Sequence, residues 1–369
     1  MITKNRYTIG VQVKRLLGFC YIVLFGINPE QKLKIGLLET VSIYVLWYTV
    51  YKLISQLSKI FMNNKIVITG ATGLIGTQLC RTLINREDEV TVFTRNIGSA
   101  KNIFGNKFTY VEWNYKNPNE WGRQLEDKDA VIHLAGANLF GKRWTAEYKK
   151  VILESRELNT RNLVSAIRST KNRIKVFISS SAVGYYGSRE DEILTEDSKL
   201  GHDFLAQVCD VWEKEAEKAN EIGIRTAMLR QGIILSKDGG ALTKFLTPFK
   251  YFIGGPLGNG KQWFPWIHIA DLIEIYLFIL DNAAISGAVN IVSSESVRMN
   301  EFAKTLGGVL NRPSIFKVPE FALRVLVGEA ASTIVSSQRV IPKKLIDHGF
   351  KFKFENLEKA LNDLLKTNS

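Results

Sequence analysis

A chain of 369 residues, 46% hydrophobic and 23% charged, is long enough for one large or two modest domains around a substantial core, and no segment is compositionally disordered. The formal net charge of +13 is unevenly placed: residues 1–64 hold eight basic and two acidic side chains, so they supply +6 and the remainder +7. Three cysteines (Cys20, Cys80 and Cys209) in no Cys-x-x-Cys pair, with four scattered histidines, argue against a disulfide framework and a metal site and fit a reducing compartment: the cytoplasm, or an organelle matrix or stroma.

Residues 1–64 read as a helical extension. Leu16 to Ile27 is uncharged but too short to span a bilayer, and Ile35 to Ile54 is long enough yet contains Glu39 and Lys52. Tyr44, Trp47, Tyr48 and Tyr51 fall at i, i+3, i+4 and i+7, one aromatic stripe on a helix. Such a stripe sits in a membrane interface or packs onto a globular domain. The basic arm suits an anionic surface or a targeting role better than nucleic acid. Membrane contact through residues 16–60, an organelle transit peptide and an extra helix pair all stay open.

The fold is expected to begin at Lys65-Ile66-Val67-Ile68-Thr69, a β-branched run that ends in Gly70-Ala71-Thr72-Gly73-Leu74-Ile75-Gly76. Ile75, Leu79 and Leu83 then share one stripe of a helix that closes near Asn85. Strand, glycine turn and helix is the arrangement a dinucleotide pyrophosphate needs. The first glycine permits the turn, the second lets backbone N–H groups approach the phosphates, and the third lets helix and strand pack closely. Gly70, Thr72, Gly73, Leu74, Ile75 and Gly76 are therefore candidate cofactor residues.

Glu89 to Arg95 reads as the second strand, and its end is where the adenosine ribose lies. An acid there accepts from the 2′-OH of NAD, whereas a cation accommodates the 2′-phosphate of NADP. The chain has Thr94, Arg95 and Asn96 and no acid, which favours NADP. Phe108 to Glu112 is the third strand. Ala130 to Leu134 is the fourth, with Leu134, Ala135 and Gly136 at the cofactor; His133, inside this apolar run, is read as a core histidine. A long helix over Ala146 to Ile167 leads to a fifth strand, Ile174 to Ile178, which ends in Ser179-Ser180-Ser181-Ala182-Val183-Gly184-Tyr185-Tyr186-Gly187. Strands alternating with helices predict a doubly wound parallel sheet of Rossmann type, with ligands at the carboxyl ends of the strands. Ser180, Ser181, Tyr185 and Tyr186 would then stand near the reacting centre, either handling a proton or walling the pocket.

These motifs resemble the extended short-chain dehydrogenase/reductases. More closely, the chain resembles the atypical "epimerase family" branch, NAD-dependent epimerase/dehydratase-like, which includes chloroplast cell-division-inhibitor-like proteins. Gly141-Lys142-Arg143-Trp144-Thr145, Asp203-Phe204-Leu205 with Trp212-Glu213, Asp238-Gly239-Gly240-Ala241, Gly254-Gly255-Pro256-Leu257-Gly258 and Trp266-Ile267-His268 continue the match in order over about residues 65–365. The resemblance implies a nicotinamide cofactor and a Tyr-x-x-x-Lys pair for the proton chemistry. The helix that should carry that pair, Asp203 to Glu213, has no tyrosine. The catalytic serine carried over is Ser181, or Ser180 if Gly184 shifts the register, and Tyr185 and Tyr186 are the nearest substitute acids.

Thr226 to Arg230 is the sixth strand. Beyond it Gly and Pro accumulate between Gly239 and Pro265, and Gly254 to Trp263 reads as a pocket rim. His268 is expected to orient its loop at the start of a helix bearing Asp271. Phe302 to Leu310 and Glu320 to Val327 are helices, and Arg339, Lys343 and Lys344 form a basic cluster, read as a solvated face before an anion site. The expected organisation is an extension (1–64), an NADP-binding domain (65–235) and a smaller substrate-binding C-terminal region (236–369). The expected function is an NADP-dependent oxidoreductase or epimerase-like enzyme acting on a small molecule. The alternative is a non-catalytic NADP(H) sensor or scaffold at a membrane.

Overall fold

A computed structural model describes residues 63–171 and 174–366. The aromatic stripe and the membrane contact expected within residues 16–60 lie outside the described residues. Among the described residues no helix is long and apolar enough to cross a membrane.

Seven parallel strands form one sheet: β1 (Lys65–Thr69), β2 (Glu89–Thr94), β3 (Thr109–Glu112), β4 (Ala130–His133), β5 (Val176–Ala182), β6 (Arg225–Gln231) and β7 (Gly287–Ile291). Their spatial order is β7-β6-β5-β4-β1-β2-β3. The order reverses between β1 and β4, and such a switch point opens a crevice at the carboxyl ends of the strands. The doubly wound fold expected from the sequence is the fold observed.

Alternation along each strand sends side chains to two cores. Ile66, Ile68, Ile132, Ile178 and Leu229 face one layer, made by α1 (Leu74–Asn85), α2 (Ile97–Phe104), α6 (Ile269–Asp281), α7 (Met299–Leu310) and α9 (Leu357–Lys366). Val67, Phe93, Val131, Phe177 and Met228 face the other, made by α3 (Ala146–Arg168) and α4 (Phe204–Glu217) with Trp113 and Trp121. Two further helices of eight or more residues among the described residues are α5 (Ala241–Lys250) and α8 (Glu320–Val327).

Two differences from the sequence reading bear on the site. First, β5 runs on through the serines: Ser180 pairs with Leu229 and Ser181 with Arg230, because β6 continues beside them. Second, the sheet takes its edge strand β7 from residues far beyond 235. The Gly287-Ala288-Val289-Asn290-Ile291 segment carries too few β-branched residues to stand out in the sequence.

Candidate functional site

The turn after β1 is shaped by close approach. Gly70 has φ of +70°, and a Cβ there would stand 2.8 Å from the carbonyl carbon of Leu134 and 2.9 Å from the nitrogen of Ala135. A Cβ on Gly76 would stand 2.4 Å from the Gly70 carbonyl oxygen. Any side chain at either place would push α1 or the loop after β4 off the strand. Gly73 is the N-cap of α1 with no side-chain cap, while Thr72 and Gly73 are exposed; Leu74 and Ile75 are half-buried behind them. The helix thus presents open backbone N–H groups and its positive dipole end at the crevice. An uncapped N-terminus over a cradle that a Cβ would fill fits a dinucleotide's pyrophosphate.

At the end of β2 the Thr94 Oγ1 accepts from the Asn96 N–H at 3.2 Å, and Asn96 caps α2 by accepting from the Ser99 N–H at 2.9 Å. Arg95, between them, is exposed and pairs with no carboxylate among the described residues. Leu134 and Ala135 are half-buried against the turn, and Gly136 is exposed beyond them. The twelve candidate cofactor residues therefore line the carboxyl ends of β1, β2 and β4.

The four hydroxyl candidates are not equivalent. Strand alternation puts Ser180 on the α6 side, where its Oγ lies 3.1 Å from the Tyr276 hydroxyl and accepts from Gln231 Nε2 at 3.2 Å. Ser181 points to the α3/α4 side, where its hydroxyl donates to Glu213 Oε1 at 2.5 Å. Glu213 in turn receives Arg230 Nε at 2.9 Å and Nη2 at 2.8 Å. Burial works against that guanidinium's charge, but the Glu213 carboxylate overcomes it and holds Arg230 above its ordinary value.

Tyr186 is fully buried. Its hydroxyl donates to Asn290 Oδ1 at 2.6 Å and accepts from Arg230 Nη1 at 3.0 Å. Burial pushes its pKa up to about 12. This hydroxyl, one of the two substitute acids expected from the sequence, is thus enclosed and engaged on both sides. Tyr185 is half-buried, with its ring against the Arg230 guanidinium, 3.4 Å from centroid to Cζ. The helix that the resemblance expects to carry tyrosine and lysine, α4, brings Leu205 and Cys209 to the end of β5. The Leu205 Cβ would lie 3.2 Å from a Cβ on Gly184, and the Cys209 Sγ lies 3.6 Å from the Ala182 carbonyl oxygen. Burial pushes the Cys209 thiol up to about 12, so it is neutral.

His133 is a core residue, hydrogen-bonded to Thr69 Oγ1 at 2.7 Å and Thr160 Oγ1 at 3.1 Å. His268 caps α6, its Nδ1 accepting from the Ala270 N–H at 3.0 Å. The basic cluster is dispersed. Arg339 packs on Trp263, Lys343 pairs with Asp347, and Lys344 donates to the carbonyls of Ser286 and Ala288. Glu213, Tyr276 and Asn290 were not singled out as site residues. Arg230, a charge at the end of an apolar strand run, was the legible signal, because such a residue needs a buried partner.

No group of His, Cys, Asp and Glu among the described residues could hold a metal. Residues 66–206 match the model of the NAD dependent epimerase/dehydratase family, and residues 318–364 match a domain of unknown function, DUF1731. An epimerase family protein of Staphylococcus haemolyticus is 39% identical over 303 residues, covering 82% of this chain and 99% of its own. The chloroplastic epimerase family protein SDR39U1 homolog of Arabidopsis thaliana is 39% identical over 301 residues, covering 81% and 86%. Among solved structures, human epimerase family protein SDR39U1 (isoform 2) with NADPH superposes with a TM-score of 0.74 at 30% identity, covering 82% of this chain and 99% of that one. With the glycine turn, the switch point and relatives matching 82% of its length in agreement, the chain belongs to the epimerase family, of the NAD-dependent epimerase/dehydratase kind.

Proposed function

We propose that the protein is an NADP-dependent oxidoreductase or epimerase-like enzyme acting on a small molecule at the carboxyl ends of β4 and β5. One observation carries the cofactor half: an uncapped glycine turn beside an exposed, unpaired Arg95 at the end of β2. A 2′-phosphate calls for a cation at that place, and a free 2′-OH calls for an acid. The NADPH named with the human relative supports the same choice.

The bound cofactor supplies or accepts a hydride at its nicotinamide ring. The chain's residues bind and orient. Ser181 is the hydroxyl we assign to the substrate oxygen; Glu213, clamped by Arg230, fixes its rotor. Tyr185 is the second hydroxyl on this side, and Ser180 acts through Tyr276 and Gln231 from the other. Leu205 and Cys209 exclude water at the end of β5 and hold no proton for exchange.

The test is a titration of the full chain with NADPH and with NADH, followed by nucleotide fluorescence, on wild type and Arg95→Ala. Wild type is expected to prefer NADPH. The variant is expected to lose roughly 10–100-fold for NADPH, the loss of one or two charge-assisted hydrogen bonds, with NADH nearly unchanged. Equal affinity for both nucleotides in wild type would remove the NADP assignment, and no affinity for either would remove the enzyme reading. Tight NADPH binding without hydride transfer to any carbonyl in a substrate screen would leave a cofactor-binding protein without catalysis.

A further inference from the structure

The α3 side of β5, where Ser181 points, contains a buried charge that the fold does not use. Arg156 sits on the helix stripe that carries Ile152, Thr160, Leu163 and Ile167, so its side chain is directed at the sheet. It is 9% exposed. Its guanidinium makes one hydrogen bond among the described residues, from Nη1 to the Ile152 carbonyl at 3.1 Å, and no carboxylate pairs with it there. The other inward arginines are satisfied. Arg230 has Glu213, and Arg225 donates to the carbonyls of Ile279, Leu280 and Ile285. Arg156 has neither arrangement, and burial pulls it below its ordinary value with no acid near enough to restore it.

Its surroundings are those of a binding site. The Trp212 ring of α4 lies on one side, 5.0 Å from centroid to Cζ. Exposed Gly136 is also close: a Cβ there would stand 3.2 Å from Cζ and 3.4 and 3.5 Å from the two terminal nitrogens. With no side chain on Gly136, the guanidinium lies close beneath the loop that follows β4. Trp212 Nε1 and Asn159 Oδ1, from the same two helices, are buried without hydrogen-bond partners. Ser155, next to Arg156, accepts from the Ala137 N–H at 3.0 Å and ties down the loop.

We propose that Arg156 binds a carboxylate carried by the substrate, so that the enzyme acts on small carboxylic acids; the assignment rests on the reading of the cleft given above. A guanidinium desolvated without an anion is destabilised, and an incoming carboxylate recovers that loss. The planar fork matches a carboxylate with two parallel hydrogen bonds, and the neighbouring Trp212 indole restricts its motion. One guanidinium neutralises one negative charge, which suits a carboxylate better than a phosphate dianion. The cofactor's phosphates have their own donors, the N-terminus of α1 and Arg95, at the ends of β1 and β2; β1 is the strand next to β4, about 5 Å away, so NADPH affinity of the Arg156 variants separates the two ligands.

The experiment uses the full chain saturated with NADP⁺. Acetate, lactate and benzoate are titrated against acetamide, lactamide and benzamide, with tryptophan emission as the readout and Trp212→Phe as the control for its source. Direct NADPH titrations run in parallel. At least one acid is expected to bind, with its amide at least about tenfold weaker. Arg156→Met is expected to weaken the acid about tenfold or more, Arg156→Lys by less, and both to leave NADPH affinity within about threefold. The apo Arg156→Met protein is expected to melt no lower than wild type, since an unpaired buried charge has gone. Acids and amides binding alike, or no acid binding to a protein that takes NADPH, overturns the proposal and spares the cofactor reading. A loss of NADPH affinity in Arg156→Lys as large as the loss of acid affinity overturns it by assigning Arg156 to the cofactor. Failure of wild type to bind NADPH removes the cofactor reading by itself.

Discussion

The network under Ser181 makes a stability prediction that can be worked through. Arg230 and Glu213 are both almost wholly buried and share two hydrogen bonds at 2.9 and 2.8 Å. Arg230 also donates to the Tyr186 hydroxyl at 3.0 Å and to the Glu196 carbonyl at 3.1 Å. Glu213→Gln keeps an acceptor for Ser181 but strands the guanidinium, while Arg230→Met strands the carboxylate. Removal of one partner of a buried pair costs about 3–5 kcal/mol. At about 2 °C per kcal/mol for a domain of this size, each single variant is expected to melt roughly 6–10 °C below wild type. Arg230→Met falls at the deeper end because Tyr186 loses a donor as well. The double variant contains no stranded charge and is expected to be more stable than the sum of the singles by about 2 kcal/mol. Thermal melts by circular dichroism, with urea midpoints as a check, read all four proteins. A single variant within about 2 °C of wild type, or a double variant that is simply additive, would refute the claim that this pair is buried and mutually dependent.

Two more predictions follow from the site and the core. Gly70→Ala forces a side chain onto a +70° backbone and against the Leu134 carbonyl carbon at 2.8 Å; NADPH affinity should fall by about a hundredfold or more, and retention of affinity in the same titration would show that the turn is not the phosphate site. Burial, with the nearby Arg156 charge adding to it, pushes His133 down to about 3, so the unfolded chain binds the extra proton between that value and the ordinary 6.5. Its contribution is complete above about pH 6.5 and is lost as pH falls, at roughly 1.4 kcal/mol per pH unit. Denaturation midpoints between pH 7 and 5 should show a slope that His133→Gln reduces by about that amount, and an unchanged slope would place the loss elsewhere.

The cofactor half was legible in the sequence because it rests on local rules. A β-branched run, three glycines and a helical stripe specify β1, the turn and α1 within a dozen neighbouring residues. The hydroxyl site was less legible because it depends on direction. Ser180 and Ser181 are neighbours, yet strand alternation sends them to α6 and α4 respectively. Tyr185 and Tyr186 lie in a 3-10 turn, Val183–Tyr186, and only the fold shows that Asn290 of β7 reaches the second of them. Arg156 left a visible mark, a cation on the buried stripe of an amphipathic helix, but its isolation is a fact about what other helices fail to bring. β7 was hidden for the opposite reason, since Asn290 looks out of place in a strand until its partner Tyr186 is known.

The two layers of helices differ in one further respect, the time at which the growing chain delivers them. The α3/α4 layer follows closely on the strands it covers. The opposite face, with Ile66, Ile68 and Leu79, is closed by Tyr276, Phe302, Leu357 and Leu361, made some two to three hundred residues later. During synthesis that face of β1, β4 and β5 is covered only by α1 and α2 until α6, α7 and α9 emerge, and contacts this distant in sequence form slowly. A nascent chain halted before α6 would expose a broad apolar face with a sheet edge at β6, the kind of species that binds chaperones or aggregates. The last of these late elements, α9, packs on α7 and completes that layer.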